Sequence, residues 1–481
     1  MNLKRIIIYF KQNYALSFKS LALMRIALAL VCLADLIIRA GDLTALYTAN
    51  GIWPAHLIKN FGWYSGYWSL HAFYDSYVWE TFMFTTHIIF VVFLLIGYKT
   101  KLANIIVWLL YISLHNRNLF ILQAGDDLLR LTLFWGLFLP WQYCYSIDSL
   151  KNKTKPQQNV IANLAYLLLI FSVYFFTVSL KTSTEWRTEG SAIYYALSLD
   201  QIRLPYTGDW LYTQPFLMKI LTYIVFIIEI FIPLFILLPS KKIPFRFYTF
   251  LLIIILHIGI GLTLFVGLFF IINMVTAIAL IPDSVLNKIS CFKNSYKINF
   301  ALKKKQNIYI NQFKKLVIVL LIFFNLLINL SAVQWFSYEV AKPLRGALNA
   351  IKISQYWGMF SPSVLKNDGW FVYDGRDSFG RQHDLRVDSD YVDFKKPKHV
   401  VSMYKTDRWR KLAENMQGNN TFLRPLYCNY ILNKWNAEHP NKKMAALNLY
   451  YINEINLENY KTTNPNKELY CYCTNEFFPN K

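Results

Sequence analysis

The sequence has few charged residues for its length. Of 481 residues, 16% are Asp, Glu, Lys or Arg, whereas 55% are hydrophobic. Soluble globular domains carry about 25% charged residues, so the composition excludes an ordinary soluble domain for most of the chain. The apolar residues cluster in runs between positions 20 and 337. These runs are close to the roughly twenty residues that a helix needs to cross a bilayer.

Motifs of several soluble protein classes are also missing. No glycine-rich phosphate-binding loop occurs, and the six cysteines and eight histidines lack the paired spacing of a metal site, so no metal is predicted. We expect no cleavable signal peptide, because the first apolar run starts late and contains Arg25, Asp35 and Arg39. Residues 1–19 alternate basic and apolar side chains and are expected to lie on the inner membrane surface as an amphipathic helix.

The apolar runs predict an all-α polytopic membrane helix bundle of about nine spans, followed by a small C-terminal extracytoplasmic α+β domain. The expected domains are the N-terminus 1–19, the transmembrane domain 20–337 and the C-terminal domain 338–481. The seventh and eighth spans are nearly continuous, so they form either a tight helical hairpin or one broken helix. The predicted spans are 20–38, 79–97, 102–121, 126–146, 159–180, 216–238, 245–265, 266–282 and 316–337.

The net charge of +22 reflects membrane topology rather than a nucleic-acid partner. Alternate connections on one side of the predicted bundle carry 20 Lys and Arg residues, and the opposite connections carry six. Lys and Arg accumulate on the cytoplasmic side. The N-terminus is therefore predicted inside and, after nine spans, the chain from about 338 outside. The basic loops are also expected to contact anionic lipids.

The C-terminal domain is expected to contain helices and strands. Segments 369–377 and 381–388 flank Gly380 and indicate a hairpin. Helices are predicted at 404–416 and 422–438, and strands at 445–452 and 468–474.

Three cysteines, Cys428, Cys471 and Cys473, fall in this domain, where an oxidising compartment permits disulfides. Cys471 and Cys473 are two residues apart and so share one face of a strand. We predict that Cys428 bonds to one of them and leaves the other free; three buried thiols are the alternative. The other cysteines fall in or beside spans, or in a cytoplasmic loop: Cys32, Cys144 and Cys291.

Ionisable residues inside apolar spans are costly and usually face a cavity or a partner. They occur in the first span and in three segments: SLHNRN (113–118), AGDDLLRL (124–131) and VSLKTSTEW (178–186). The predicted topology brings these segments near the outer face, so we expect one polar chamber there. Glu229 and His257 are candidates for the same interior.

A simpler interpretation exists for each group. Asp35–Arg39, Asp126–Arg130 and Asp127–Arg130 have the spacing of ion pairs within a helix. His115, in a short loop beside Asn116 and Arg117, is expected to brace the loop by hydrogen bonds rather than to bind metal, and His257 to be an ordinary core histidine.

Lys181 closes an apolar span. Its side chain either reaches out to the membrane interface or is buried as an amine that can accept a proton. Glu185, four residues on, would stabilise the ammonium form if the helix continues that far.

Three segments together resemble the HTTM family, bacterial transmembrane proteins related to vitamin K-dependent γ-glutamyl carboxylase. They are MRIALALVCLADLIIRAGDLTALYTANGIWP (24–54), SLHNRNLFILQAGDDLLRLTLFWGLFLP (113–140) and KTSTEWRTEGSAIYYALSLDQIRLP (181–205). The motif SQYWGMFSP (354–362) with DGWFVYDG (368–375) resembles the extramembrane tail of bacterial members. The likeness extends over roughly residues 20–440.

The resemblance implies a chemistry. The carboxylase oxidises reduced vitamin K with O2, and the base so formed removes a glutamyl γ-proton before CO2 adds. Lys181 in KTSTEW matches the position of its essential lysine, and His257 resembles a histidine of a later helix. Menaquinone in a bacterial cytoplasmic membrane would be the quinol. The candidate cofactor-binding residues around Lys181 are His115, Asn116, Arg117, Asp126, Asp127, Arg130 and Trp186.

The chain departs from the carboxylase in length, since its tail after the membrane region has only about 145 residues. The large lumenal part that binds the glutamyl substrate is not recognisable. Two hypotheses follow: a quinol-linked membrane enzyme that modifies a secreted or periplasmic peptide or protein, and a non-catalytic membrane protein that assists export, maturation or immunity of a secreted partner. The sequence does not indicate an oligomeric state.

Overall fold

The computed structural model describes residues 9–10, 12–151, 158–240, 243–289, 308–331, 333, 336 and 338–475. Residues 1–8 and 11 of the predicted amphipathic N-terminal helix, and Cys291 with its basic loop, lie outside these residues. In chain order the helices before residue 200 are α1 (Phe18–Ala40), α2 (Leu43–Tyr47), α3 (Ala55–Phe61), α4 (Tyr77–Ile96), α5 (Thr100–Arg117), α6 (Ala124–Gly136), α7 (Ile147–Lys151), α8 (Val160–Leu180) and α9 (Ala192–Ser198). Those that follow, up to residue 350, are α10 (Thr207–Tyr212), α11 (Pro215–Leu237), α12 (Phe245–Thr263), α13 (Phe269–Ala277), α14 (Asp283–Leu286), α15 (Ile308–Ser331) and α16 (Lys342–Ala350).

Six helices in the described ranges, α1, α4, α8, α11, α12 and α15, are long and apolar enough to cross a membrane, which indicates a membrane protein. Local sequence sets their ends. The Ser17 side chain caps the start of α1, Ser76 caps α4, and Gly97 ends α4 in the left-handed conformation. Apolar side chains on the outer helices remain exposed: in α11, only 28% of the most apolar stretch is buried. Such a surface suits lipid.

The predicted third, fourth and eighth spans correspond to α5, α6 and α13, which are shorter or more polar. α6 has 13 residues and is therefore only about 20 Å long, against a bilayer core of about 30 Å. Nearly all of its side chains are buried inside the protein. Hydropathy alone does not separate such an interior helix from one that faces lipid.

The seventh and eighth predicted spans form a helical hairpin. α12 ends at Thr263, the chain turns through Gly267 with a positive φ of 56°, and α13 begins at Phe269. A Cβ on Gly261 would lie 2.5 Å from the Phe270 ring, so α12 and α13 run back against each other at van der Waals distance. Of the two alternatives, the broken helix is excluded.

The C-terminal region forms a small antiparallel sheet and two helices, of which the second packs against the sheet. Its elements are β1 (Asn367–Arg376), β2 (Gln382–Asp384), α17 (Asp407–Gln417), α18 (Leu423–Glu438), β3 (Ala446–Ile455) and β4 (Asn466–Thr474). The strand order is β2-β1-β3-β4. The predicted hairpin, helices and strands are all present, and Gly380 provides the positive φ of 79° at the turn.

Cys428 on α18 is bonded to Cys473 on β4, and Cys471 is free. The predicted pairing is thereby confirmed. The bond joins the helical layer of this region to the edge strand of its sheet.

Candidate functional site

Lys181 lies directly after the last residue of α8 and is buried, with 3% of its surface exposed. Its Nζ donates to both carboxylate oxygens of Glu229 on α11, at 2.8 and 2.6 Å. The ammonium also lies 3.8 Å from the centre of the Trp186 ring, a distance typical of a cation–π contact. A charged pair is thus held between two apolar helices.

Of the two alternatives for Lys181, the structure shows the buried one: its side chain does not extend to the interface, because Glu229 binds it inside the protein. The condition under which Glu185 would stabilise the ammonium is not met, since α8 ends at Leu180 and the chain continues as a short π-helix over Glu185–Glu189. Glu185 instead pairs with Lys366 at 2.9 Å and accepts from the Val364 amide at 3.1 Å.

His257 on α12 lies near the same face of α8. Its Nε2 is 2.9 Å from the Tyr174 hydroxyl, and its ring contacts Phe269 at 5.5 Å between centres. Tyr174 and Lys181 are seven residues apart, so they occupy one side of α8 at a separation of about 10 Å along the axis. The Nδ1 of His257 is buried with no partner in the part of the chain that the structure describes. A fully satisfied core histidine would have both nitrogens paired.

The tail motif 354–362 covers this region of α8. The Trp357 carbonyl accepts from the Thr177 hydroxyl at 3.0 Å, and the Phe360 carbonyl accepts from the Trp186 indole at 2.9 Å. The Ser183 amide donates to the Pro362 carbonyl at 3.2 Å. The motif that carries part of the family resemblance therefore contacts Thr177 in α8, and Ser183 and Trp186 just beyond it.

A second polar cluster involves α1, α6 and α17. Asp126 pairs with Arg39 at 2.6 Å and with both terminal nitrogens of Arg408. Asp35 pairs with Arg39 and with Arg408, each at 2.8 Å. Two arginines and two aspartates, all buried, balance in charge. Arg408 belongs to the C-terminal region, so this network fastens that region to the bundle.

The predicted helical ion pairs are confirmed in two cases of three. Asp35–Arg39 and Asp127–Arg130 form, each at 2.8 Å. Asp126 does not pair with Arg130, because it accepts the Gln123 amide at the start of α6 and faces Arg39 and Arg408.

His115, Asn116 and Arg117 lie in the last turn of α5 rather than in a loop. Arg130 donates to Nδ1 of His115 at 3.1 Å; a guanidinium only donates, so Nδ1 is the acceptor. Arg117 donates to the Trp53 carbonyl at 2.8 Å and to Asp75 at 2.7 Å. The predicted bracing role fits these contacts.

Lys352, in the tail, donates to the Asn116 side chain at 2.6 Å. Burial and the charge of Arg130 hold the pKa of its amine well below its usual range. It has no ion-pair partner in the described ranges, in contrast to Lys181. Nothing in the sequence marks Lys352 or Arg408, because charged residues are ordinary in a water-soluble tail.

The predicted site residues thus fall into two clusters: one around Lys181, Trp186, Glu229 and His257, and one around Asp126, Arg130 and the end of α5. Among the described residues, no hydrogen bond or ion pair directly joins them.

A third cluster links the loop before α10 to the sheet. Carboxylate oxygens of Asp200, Asp368 and Glu454 lie within 4.8 Å of one another. Lys396 forms ion pairs with all three, so an ammonium occupies the position that a cation would take. Burial, and next the charge of Asp200, raise the pKa of Asp368 to about 6.

Comparison with protein families, with curated proteins and with solved structures found no match for this chain.

Proposed function

We propose that this chain is a multi-pass enzyme of the bacterial cytoplasmic membrane, of the HTTM type, that uses a membrane quinol to modify glutamyl residues of a secreted peptide or protein. The buried Lys181–Glu229 pair carries the proposal. Two charged groups inside an apolar bundle are costly, and a lysine in this setting is suited to proton transfer. The resemblance of KTSTEW to the carboxylase lysine motif adds the reaction class.

The surroundings of the pair fit a ring that bears hydroxyls. Trp186, Tyr174 and Phe269 provide aromatic surface near Lys181 and His257. The unpartnered Nδ1 of His257 could take a hydrogen bond from such a ligand or donate one to it. A quinol supplies reducing equivalents when bound, with O2 and CO2 as co-substrates. Vitamin K or menaquinone in reduced form meets this description.

Glu229 sets a condition on this chemistry. An ammonium that is paired with a carboxylate at 2.6 Å is not a base. In this proposal the proton of Lys181 moves to Glu229 before the Lys181 amine accepts a proton from the quinol. The two residues therefore act as one proton-exchanging unit.

The test uses purified protein with reduced menaquinone, O2 and labelled bicarbonate. We expect quinol oxidation by the wild type and at least a hundredfold loss in Lys181→Ala, about the contribution of a positioned general base. Lys352→Ala is the matched control, because it removes a second buried lysine from the other cluster and should retain turnover. The double variant Lys181→Met/Glu229→Leu leaves no unpaired buried charge and controls for misfolding.

If the wild type neither turns over nor binds the quinol, the proposed enzymatic function is wrong. Loss in Lys352→Ala but not in Lys181→Ala would place the base in the other cluster. The second candidate function is a non-catalytic protein that assists export, maturation or immunity of a secreted partner. The complete pairing of Lys181 with Glu229 favours it, because a purely structural ion pair has the same geometry.

A further inference from the structure

A cavity of about 470 Å³ lies between the end of α1 and the C-terminal region. Its walls include Phe371 and Tyr373 from β1, Trp409 from α17, and Tyr427 and Tyr430 from α18. The volume falls in the range of small-molecule sites, about 300–1,000 Å³. Lys181 and its partners are not among the lining residues, so this cavity is separate from the proposed reaction centre.

Six of the lining residues are aromatic: Phe371, Tyr373, Tyr404, Trp409, Tyr427 and Tyr430. The Tyr404 hydroxyl and the Trp409 indole Nε1 are covered by protein and have no hydrogen-bond partner in the described part of the chain. These two residues therefore offer ring surface, rather than donors, to a ligand.

The charged lining residues are mostly basic: Arg386, Lys405 and Lys434 against Asp42. Lys405 and Asp42 neutralise each other at 2.7 Å. Lys434 is 3.9 Å from Glu438, a long and exposed contact, and Arg386 has no ion-pair partner among the residues that the structure describes. The excess of positive charge therefore favours an anionic ligand.

We propose that this cavity binds a small aromatic carboxylate. The aromatic walls would pack against its ring, and Arg386 would pair with its charge. This site goes beyond the proposed quinol enzyme and does not depend on it, because no residue is shared. A negative result in the quinol assay would therefore not bear on the proposed carboxylate site.

The binding test uses the full chain in nanodiscs and equilibrium dialysis, with empty nanodiscs subtracted. The probe is 2-naphthylacetate, and the matched control ligand is 2-naphthylmethylamine, which has a similar ring and the opposite charge. We expect saturable binding of the acid and much weaker binding of the amine.

Arg386→Glu should weaken binding of the acid by about tenfold or more, the loss expected for a hydrogen bond to a charged group. Lys398→Glu makes the same change of charge at an exposed residue outside the cavity and should have little effect. Both residues are exposed, so folding is not at risk. Equal binding of acid and amine, equal losses in the two charge variants, or no saturable binding would each overturn the proposal.

Discussion

The surroundings of the buried ionic groups in this protein are set by partners that lie far away in sequence. Lys181 is paired with Glu229, 48 positions on, and Asp126 with Arg408, 282 positions on. The sequence predicts the short-range pairs because three or four residues along a helix form one surface. It does not predict which distant helix supplies a partner. Lys181 is buried rather than exposed because Glu229 on another helix pairs with it.

Asp368 gives a pH dependence at the residue scale. Its pKa is about 6 in the folded protein against an ordinary value of 3.8. Between these values the folded state binds more protons than the unfolded state, so this carboxyl makes stability fall as pH rises from about 4 to about 6. This rise in the pKa of Asp368 corresponds to about 3 kcal/mol of folding stability.

The measurement is thermal unfolding of the full chain in detergent, wild type against Asp368→Asn. The Asn side chain keeps an acceptor for the backbone amide of Asp200, which donates to Asp368 at 2.9 Å. The melting temperature of the wild type, relative to this variant, should fall between pH 4 and pH 6. Asp393→Asn changes an exposed aspartate outside the cluster and should show no such trend. A difference that is constant with pH would contradict the assignment.

At the level of elements, local patterns were informative in the tail and less so in the bundle. The two segments that flank the Gly380 turn predicted the hairpin of β1 and β2, and the predicted helix 422–438 corresponds to α18. In the membrane region, runs of apolar residues located α6 and α13 but not their lengths. A helix inside a bundle and one facing lipid are both apolar, and only packing decides how far each extends.

The disulfide between α18 and β4 carries a prediction about the tail. It closes a loop with a sequence separation of 45 residues, and cross-links of this kind contribute about 2–4 kcal/mol. Cys428→Ser should lower the melting temperature of the oxidised full chain, whereas Cys471→Ser should not. Mass spectrometry after non-reducing alkylation should find one modified thiol in the tail. Three alkylated thiols would show that the bond does not form.

For the whole molecule, the tail and the bundle are joined by charge and by hydrogen bonds. Arg408 enters the network of α1 and α6, Lys396 links the sheet to Asp200, and motif 354–362 covers α8. The sequence predicts each part but not their junction, because the contacts run between residues that share no local pattern. The candidate cavity exists only at this junction.

The side of the membrane on which the tail lies depends on how many helices cross. The six long helices alone are an even number, which would place the tail on the side of the N-terminus. If the segments of α5, α6 and α13 also cross, the last two completed by the largely buried residues 137–146 and 278–280 beyond their helical ends, the number is nine and the tail lies opposite. We propose the second arrangement, because basic residues alternate between successive connections and because the Cys428–Cys473 bond suits an oxidising compartment. The exposed side chains of Tyr64, Tyr206 and Trp210, all in connections assigned to the outer face, suit an aromatic belt at that interface.

Fusions to alkaline phosphatase, which is active only outside the cytoplasm, distinguish the two counts. With nine spans, a fusion after Gln355 should be active and a fusion after Pro156 inactive. With six spans both fusions lie inside and both should be inactive, so the Gln355 fusion alone decides between the counts. The Pro156 fusion tests the orientation, because activity there would mean that the basic connections face outward. An inactive Gln355 fusion, expressed at the level of the Pro156 fusion, would move the tail to the cytoplasm, where a structural disulfide and a secreted substrate are both unexpected.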